Sequence, residues 1–401
     1  MSTHNKLKDK LVGLSFKTLV LPVTCLLQNI NLIKLYILIN LIKNIYKEII
    51  INFFKFAYGK VKFNKKISLN NFYIKKIKIN KILYFIYKIQ DGRSYSDQVS
   101  NVAYIKNNYI LEGPSIQLRN GIIVKSNKNI VLKAGTPRLI NNVSGKILSL
   151  LSGGAGNYNY WHWLFDVLPR IFLYEKFYLL KNINKIIVPD IKEKFQYQTL
   201  TLLGIKIKNC INSQVYRHIK FNELYVTTHP NLNLKVEKVP HWIIMSIKKK
   251  FLKKKFIKSS FPKFKKIYID RSDSKSNVRD FRKIINEKLI KIFLASRGFK
   301  VIRLSEYSFI EQVNIFYNAN CIIGLHGAGF ANIVFCKKKA FVLEIKSNTT
   351  GDIIKNLAIS NKLKYIGISL KPKFQPIGSQ FGIVYLSLVK LKFLMIRNGI
   401  Y

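Results

Sequence analysis

Apolar positions change their spacing along this chain, and each change predicts a different kind of structure. Residues 11–57 (LVGLSFKTLVLPVTCLLQNINLIKLYILINLIKNIYKEIIINFFKFA) are dominated by Leu, Ile and Phe with scattered lysines. The longest uncharged run, 18–33, has 16 residues and holds Pro22, Gln28 and Asn29. A spanning helix wants about 20 mostly apolar residues. Reading through Lys34 extends the run to Ile42. Three readings fit: a helix lying on a membrane surface with Lys34, Lys43 and Lys47 beside its apolar face, a helix packed on the protein's own core, and a single span. No small-residue cleavage site follows a short apolar core, so no secretory signal is expected.

Residues 67–151 carry short apolar runs at 67–69, 109–111, 122–124 and 130–132, punctuated by Gly92, Gly113, Gly121 and Gly135-Thr136-Pro137. This predicts β-rich structure with tight turns. Longer periods begin near 157. They predict a helix over 159–180, a strand over 185–188, and a helix to 203 that Asp190 and Glu193 cap. Residues 240–260 read as a basic helix and a polar hinge. Further on, strands at 266–269, 300–304, 321–325, 341–345 and 365–370 alternate with helices at 281–297, 309–319 and 352–361 and a short glycine-led helix at 327–335. Gly298 stops the first of these helices, and Ser308 with Glu311 forms a capping box for the second. Such alternation predicts a parallel sheet with right-handed crossovers, and the apolar runs suit strands buried on both faces. The expected organisation is an apolar and basic segment 1–60, a first domain 61–240, a connection 241–263, a Rossmann-like domain 264–370 and a tail 371–401.

Composition adds bounds. The 401 residues allow two domains, and 48% hydrophobic with 22% charged residues excludes disorder over most of the chain. Lys and Arg total 69 against 19 Asp and Glu, a net charge of +50. Lysine makes up 58 of the 69, in company with abundant Ile, Asn, Tyr and Phe, the set that AT-rich codons encode. Five of the 11 arginines fall between 271 and 303, which drift explains less well. A charge of this size attracts anionic lipid, nucleotide phosphates or nucleic acid. The four cysteines have neither CxxC spacing nor a small-domain context, so neither a disulfide framework nor a cysteine zinc site is expected, and a reducing compartment is.

Three constellations carry candidate chemistry. In GNYNYWHWLFDVLPR (156–170), a helix would place His162, Asp166 and Arg170 near one face, and an Asp one turn from a His can orient the ring for general base work. A surface ion pair beside a buried Trp pair is the plainer alternative. In GLHGAGFAN (324–332), small residues after an apolar strand would let a phosphate approach the backbone and the next helix's N–H groups. The spacing is neither GxGxxG nor a Walker A loop. In DRSD (270–273) with Arg279 and Arg282, guanidinium forks suit diphosphate oxygens. Glu344, ending a strand, could accept bonds from ribose hydroxyls.

NYNYWHWLFDVLPR, RSDSKSNVRDFRKIINE, GFKVIRLSEYSFIEQVNIFYNANCIIGLHGAGFANIVF and FVLEI occur in an order and spacing that resemble glycosyltransferase family 61. The resemblance runs from about 153 to 368. Phe330 stands where the family usually has Leu, and Cys336-Lys-Lys-Lys339 replaces a Pro/Gly-rich turn. The resemblance implies an α/β fold of GT-B type, with two Rossmann-like domains facing a cleft, here with a β-rich N-terminal part. It implies inverting transfer from a nucleotide-sugar, commonly UDP-linked, without an obligatory metal or another cofactor. Bacterial members resemble capsule, exopolysaccharide and lipopolysaccharide enzymes. The acceptor would be a glycan or lipid-linked oligosaccharide, and the location cytoplasmic or peripheral at the inner face of the plasma membrane. On this reading His162, oriented by Asp166, or Asp166 itself, is the base. Arg271, Arg279, His326, Gly327, Ala328, Gly329, Asn332 and Glu344 hold the donor. The competing reading is a non-enzymatic basic protein that binds a membrane surface or nucleic acid, although no zinc finger, RNP pattern or basic zipper supports it.

Overall fold

The computed structural model describes residues 32–66, 72–98, 101–119, 122–151, 158–231, 238–258, 260–274, 282–373 and 382–400. The fold is mixed α/β, as the sequence predicts, and divides into two compact units. Met1–Asn157, Arg170–Ile191 and Lys208–His229 form unit 1. Tyr158–Pro169, Lys192–Ile207 and Pro230–Tyr401 form unit 2.

Unit 1 opens with a long helix, Leu32–Tyr58. Its main sheet is built from β1 (Tyr73–Ile79), β2 (Ile82–Gln98), β3 (Asn101–Lys106), β4 (Tyr109–Ile110), β7 (Asn141–Ser149), β8 (Lys185–Val188), β9 (Cys210–Asn212) and β10 (His218–Thr227). The order is β4-β3-β2-β10-β7-β8-β9, with β1 beside β2. β5 (Gln117–Arg119) and β6 (Ile122–Val124) make a separate hairpin. The two-residue turns Asn80-Lys81 and Asn107-Asn108 are left-handed at both positions, which matches strand twist and which Asn tolerates best. The first half is thus β-rich. The run at 130–132 is the exception. The Asn129 side chain accepts the Val131 N–H at 3.2 Å, and a helical turn, Val131–Ala134, replaces the expected strand. The run at 67–69 lies outside the described residues.

Unit 2 holds a five-stranded parallel sheet of β11 (Lys266–Asp270), β13 (Lys300–Arg303), β14 (Cys321–Leu325), β15 (Phe341–Ser347) and β16 (Lys364–Leu370) in the order β13-β11-β14-β15-β16. Every residue of central β14 is buried, whereas the edge strands β13 and β16 alternate with exposed positions. The Ser308–Glu311 capping box forms as expected at the start of Phe309–Asn318. Two helix starts differ. Glu193, not Asp190, caps Lys194–Leu202, in a box with Gln196. Asp190 accepts instead from Asn212 Nδ2 at 2.6 Å within unit 1. The helix expected over 281–297 begins only at Glu287, because β12 (Arg282–Ile284) pairs in parallel with β17 (Gly382–Val384).

Candidate functional site

Numbered along the chain, the unit 2 sheet runs 2-1-3-4-5, so strand order reverses between β11 and β14. Open α/β sheets bind ligands outside the carboxyl ends of strands at such a reversal. Here the two strands end in Asp270-Arg271 and in Leu325-His326-Gly327, and between them opens a cleft of about 840 Å³. Its walls include Arg271, Arg282, Gly327–Gly329, Ser305, Gln198 and Tyr158–Tyr160, all of unit 2. The volume lies in the range of small-molecule sites.

Two guanidinium groups meet in this cleft. Arg271 Nη1 donates to the His326 carbonyl, and Arg282 Nη1 reaches the same oxygen at 3.4 Å. Burial pushes the Arg282 pKa down to about 10, and the charge of Arg271 pushes the same way. Burial also lowers Arg271, against the opposing pull of Asp273 and Glu287. Both remain cations at neutral pH. Crowded, partly desolvated arginines at strand ends are the electrostatics of an anion site. Gly327 makes room for Arg271, because a Cβ there would stand 2.6 Å from Arg271 Cζ. At Gly329 a Cβ would press on Leu304 Cδ1 at 2.7 Å. Ala328–Phe335 then continues as a 3₁₀ helix.

The His326 ring turns inward. Its Nδ1 pairs with Glu344 Oε1, and the Tyr365 hydroxyl donates to Glu344 Oε2. Glu344 is fully buried, so both oxygens are spent inside the sheet and it does not line the cleft. Burial lowers the His326 pKa, and the two arginines reinforce that against the pull of Glu344. Asn332 is likewise fully buried. It accepts from the Tyr160 hydroxyl at 2.6 Å and donates to Gln312 at 2.9 Å, which ties the 3₁₀ helix to the segment that carries His162.

That segment starts at Asn159, whose side chain accepts the N–H groups of Trp161 and His162. Tyr160–His162 is α-helical, Trp163–Val167 winds as a π-helix, and Leu168–Tyr174 returns to α. Pro169 lacks the N–H that would close an α turn onto Phe165, and a π turn is one way a helix absorbs such a gap. The wider turn takes Arg170 off the expected line. It belongs to unit 1, where it donates to the Thr227 carbonyl at 2.9 Å. His162 and Asp166 do meet, with Nδ1 2.6 Å from Oδ2. Asn231 Nδ2 donates to the other carboxyl oxygen. Burial opposes charge on His162, but the hydrogen bond and charge of Asp166 outweigh it, and the pKa is raised. His162 lies outside the cleft lining, and its side chain stays 30% exposed, so the ring remains reachable.

Of the expected residues, Arg271 and Gly327–Gly329 line the cleft, while His326, Asn332 and Glu344 support it from within. Arg279 lies in 275–281, outside the described residues. Asn231, Tyr160 and Tyr365 add contacts that the sequence does not foretell, and Arg282, grouped by sequence with the guanidinium forks but not with the donor-holding residues, lines the cleft too. Arg282 had a visible signal in its place within the arginine cluster. Among the described residues no group of three or more His, Cys, Asp or Glu could hold a metal ion.

A family model described as Glycosyltransferase 61 matches residues 160–343, from the start of the helix with His162 to the third residue of β15. Among curated proteins none matches the chain. The matched residues hold the His162–Asp166 pair, both cleft arginines and the glycine turn, and through them the chain is similar to glycosyltransferase family 61, a match that supports glycosyltransferase activity.

Proposed function

We propose that the enzyme moves a sugar, with inversion, from a nucleoside diphosphate donor, UDP-linked by the family resemblance, to a glycan or lipid-linked acceptor of surface polysaccharide synthesis. The observation that carries this reading is the convergence of Arg271 and Arg282 on the His326 carbonyl at the β11–β14 reversal. A diphosphate there would meet both guanidinium forks and the glycine turn. As the bond from the anomeric carbon to the diphosphate breaks, its electron pair leaves with the diphosphate. Preorganised cations stabilise that growing charge most where solvent is excluded. The metal-independent part of the proposal rests on these two cations.

The acceptor hydroxyl must lose its proton as its oxygen attacks the anomeric carbon. His162 suits that task. Asp166 holds Nδ1, which leaves Nε2 as the ring atom that takes the proton. Asp166 is the weaker candidate base, because His162 and Asn231 occupy both of its oxygens. The test is transfer by purified protein with UDP-sugars and a glycan acceptor. His162→Ala should lower turnover by about 10²–10⁴-fold while donor binding persists. Wild-type turnover in this variant would remove His162 from the mechanism.

A further inference from the structure

The helix Leu32–Tyr58 presents an apolar stripe that nothing among the described residues covers. Ile37, Leu41, Ile45, Ile49 and Phe53 recur every fourth residue, all exposed, and Phe56, 92% exposed, falls on the same side. Ile51 and Phe54 point the other way and are buried, so the helix is anchored to unit 1 near its C-terminal end. On a 3.6-residue repeat Lys43 and Lys47 also sit opposite the stripe. No helix among the described residues is long and apolar enough to cross a membrane.

We infer that this stripe seats the protein on an anionic bilayer surface, with the helix lying in the interface. An amphipathic helix with large apolar side chains on one face and lysines on the other has the composition of an interfacial anchor. The charge of +50 selects the occupant. An anionic leaflet attracts it, whereas a second copy would bring the same charge against it. The inference stands apart from the proposed chemistry, since none of these residues lines the cleft or belongs to the His162–Asp166 pair.

The test is flotation of the full chain with vesicles of phosphatidylcholine, with or without phosphatidylserine. The wild type should float with the anionic vesicles, and binding should weaken as salt rises. The exposed-site variant Leu41→Gln/Ile45→Gln/Ile49→Gln, shown folded by an unchanged thermal melt, should bind at least about 100-fold more weakly. Phe56→Gln gives a second, milder variant that should also weaken binding. The inference is overturned if the wild type stays off anionic vesicles, if it floats equally with both vesicle types, or if the triple variant floats as well as the wild type. A dimer that the triple variant dissociates, in a protein that ignores vesicles, would assign the stripe to a second copy instead.

Discussion

In the proposed mechanism His162 and Asp166 divide the work of one base between them. With its pKa raised above the ordinary 6.5, His162 is protonated, and idle as a base, at the acid end of the working range. The rate should therefore rise with pH along a limb centred above 6.5. Asp166→Asn removes the group that raises the pKa, so this limb should move to lower pH while the plateau rate falls; a pH–rate profile measures both. A limb unmoved in Asp166→Asn would mean that His162 is not the titrating group. At the arginines the expected effect is on donor binding. A hydrogen bond to a charged group is worth about 1.5–3 kcal/mol, so Arg271→Ala and Arg282→Ala should each weaken nucleotide binding by about 10–100-fold in calorimetric titration.

The elements that hold these residues differ in how well the sequence announces them. The helix Phe309–Asn318 was legible because its capping box is local, with Ser308 and Glu311 three residues apart. Ser308→Ala should lower stability by about 1 kcal/mol and leave nucleotide affinity alone, as a melt and a titration would show. The apolar runs β11, β14 and β15 were legible for the same reason. Arg282–Ile284 was not, because its strand partner Gly382–Val384 lies about a hundred residues on. The pair His162–Asp166 could be read at i,i+4 in one helix, whereas Asn231 reaches Asp166 from 65 residues away. The sequence predicts Gly327 to be room for a phosphate, and in the structure it makes room for the Arg271 side chain. Gly327→Ala should thus cut nucleotide affinity by displacing that guanidinium, with little change in melting temperature. In unit 1, burial lowers the His218 pKa on β10 from 6.5 to about 4. The stabilisation from keeping His218 neutral is complete above pH 6.5 and is lost as pH falls toward 4. The total is about 3 kcal/mol, and an acid titration of stability in wild type and His218→Gln should show the difference.

For the molecule as a whole, the sequence foretold the mixed α/β class and the parallel sheet of unit 2. It did not foretell which pieces make each compact unit, since Tyr158–Pro169 and Lys192–Ile207 join unit 2 across long stretches of intervening chain. Contacts of that range leave no periodic trace in a single sequence. Calorimetric titration asks whether unit 2 binds a nucleoside diphosphate through Arg271 and Arg282, as proposed. Wild type and Arg271→Ala/Arg282→Ala would each be titrated with UDP, GDP, CMP and dTDP, with and without EDTA. The wild type should bind one of the three diphosphates, UDP first among them and more tightly than the monophosphate CMP, whether or not EDTA is present, and the double variant, still folded, should lose at least about 100-fold in affinity. No binding by folded wild type, or equal binding by the double variant, would contradict the proposal.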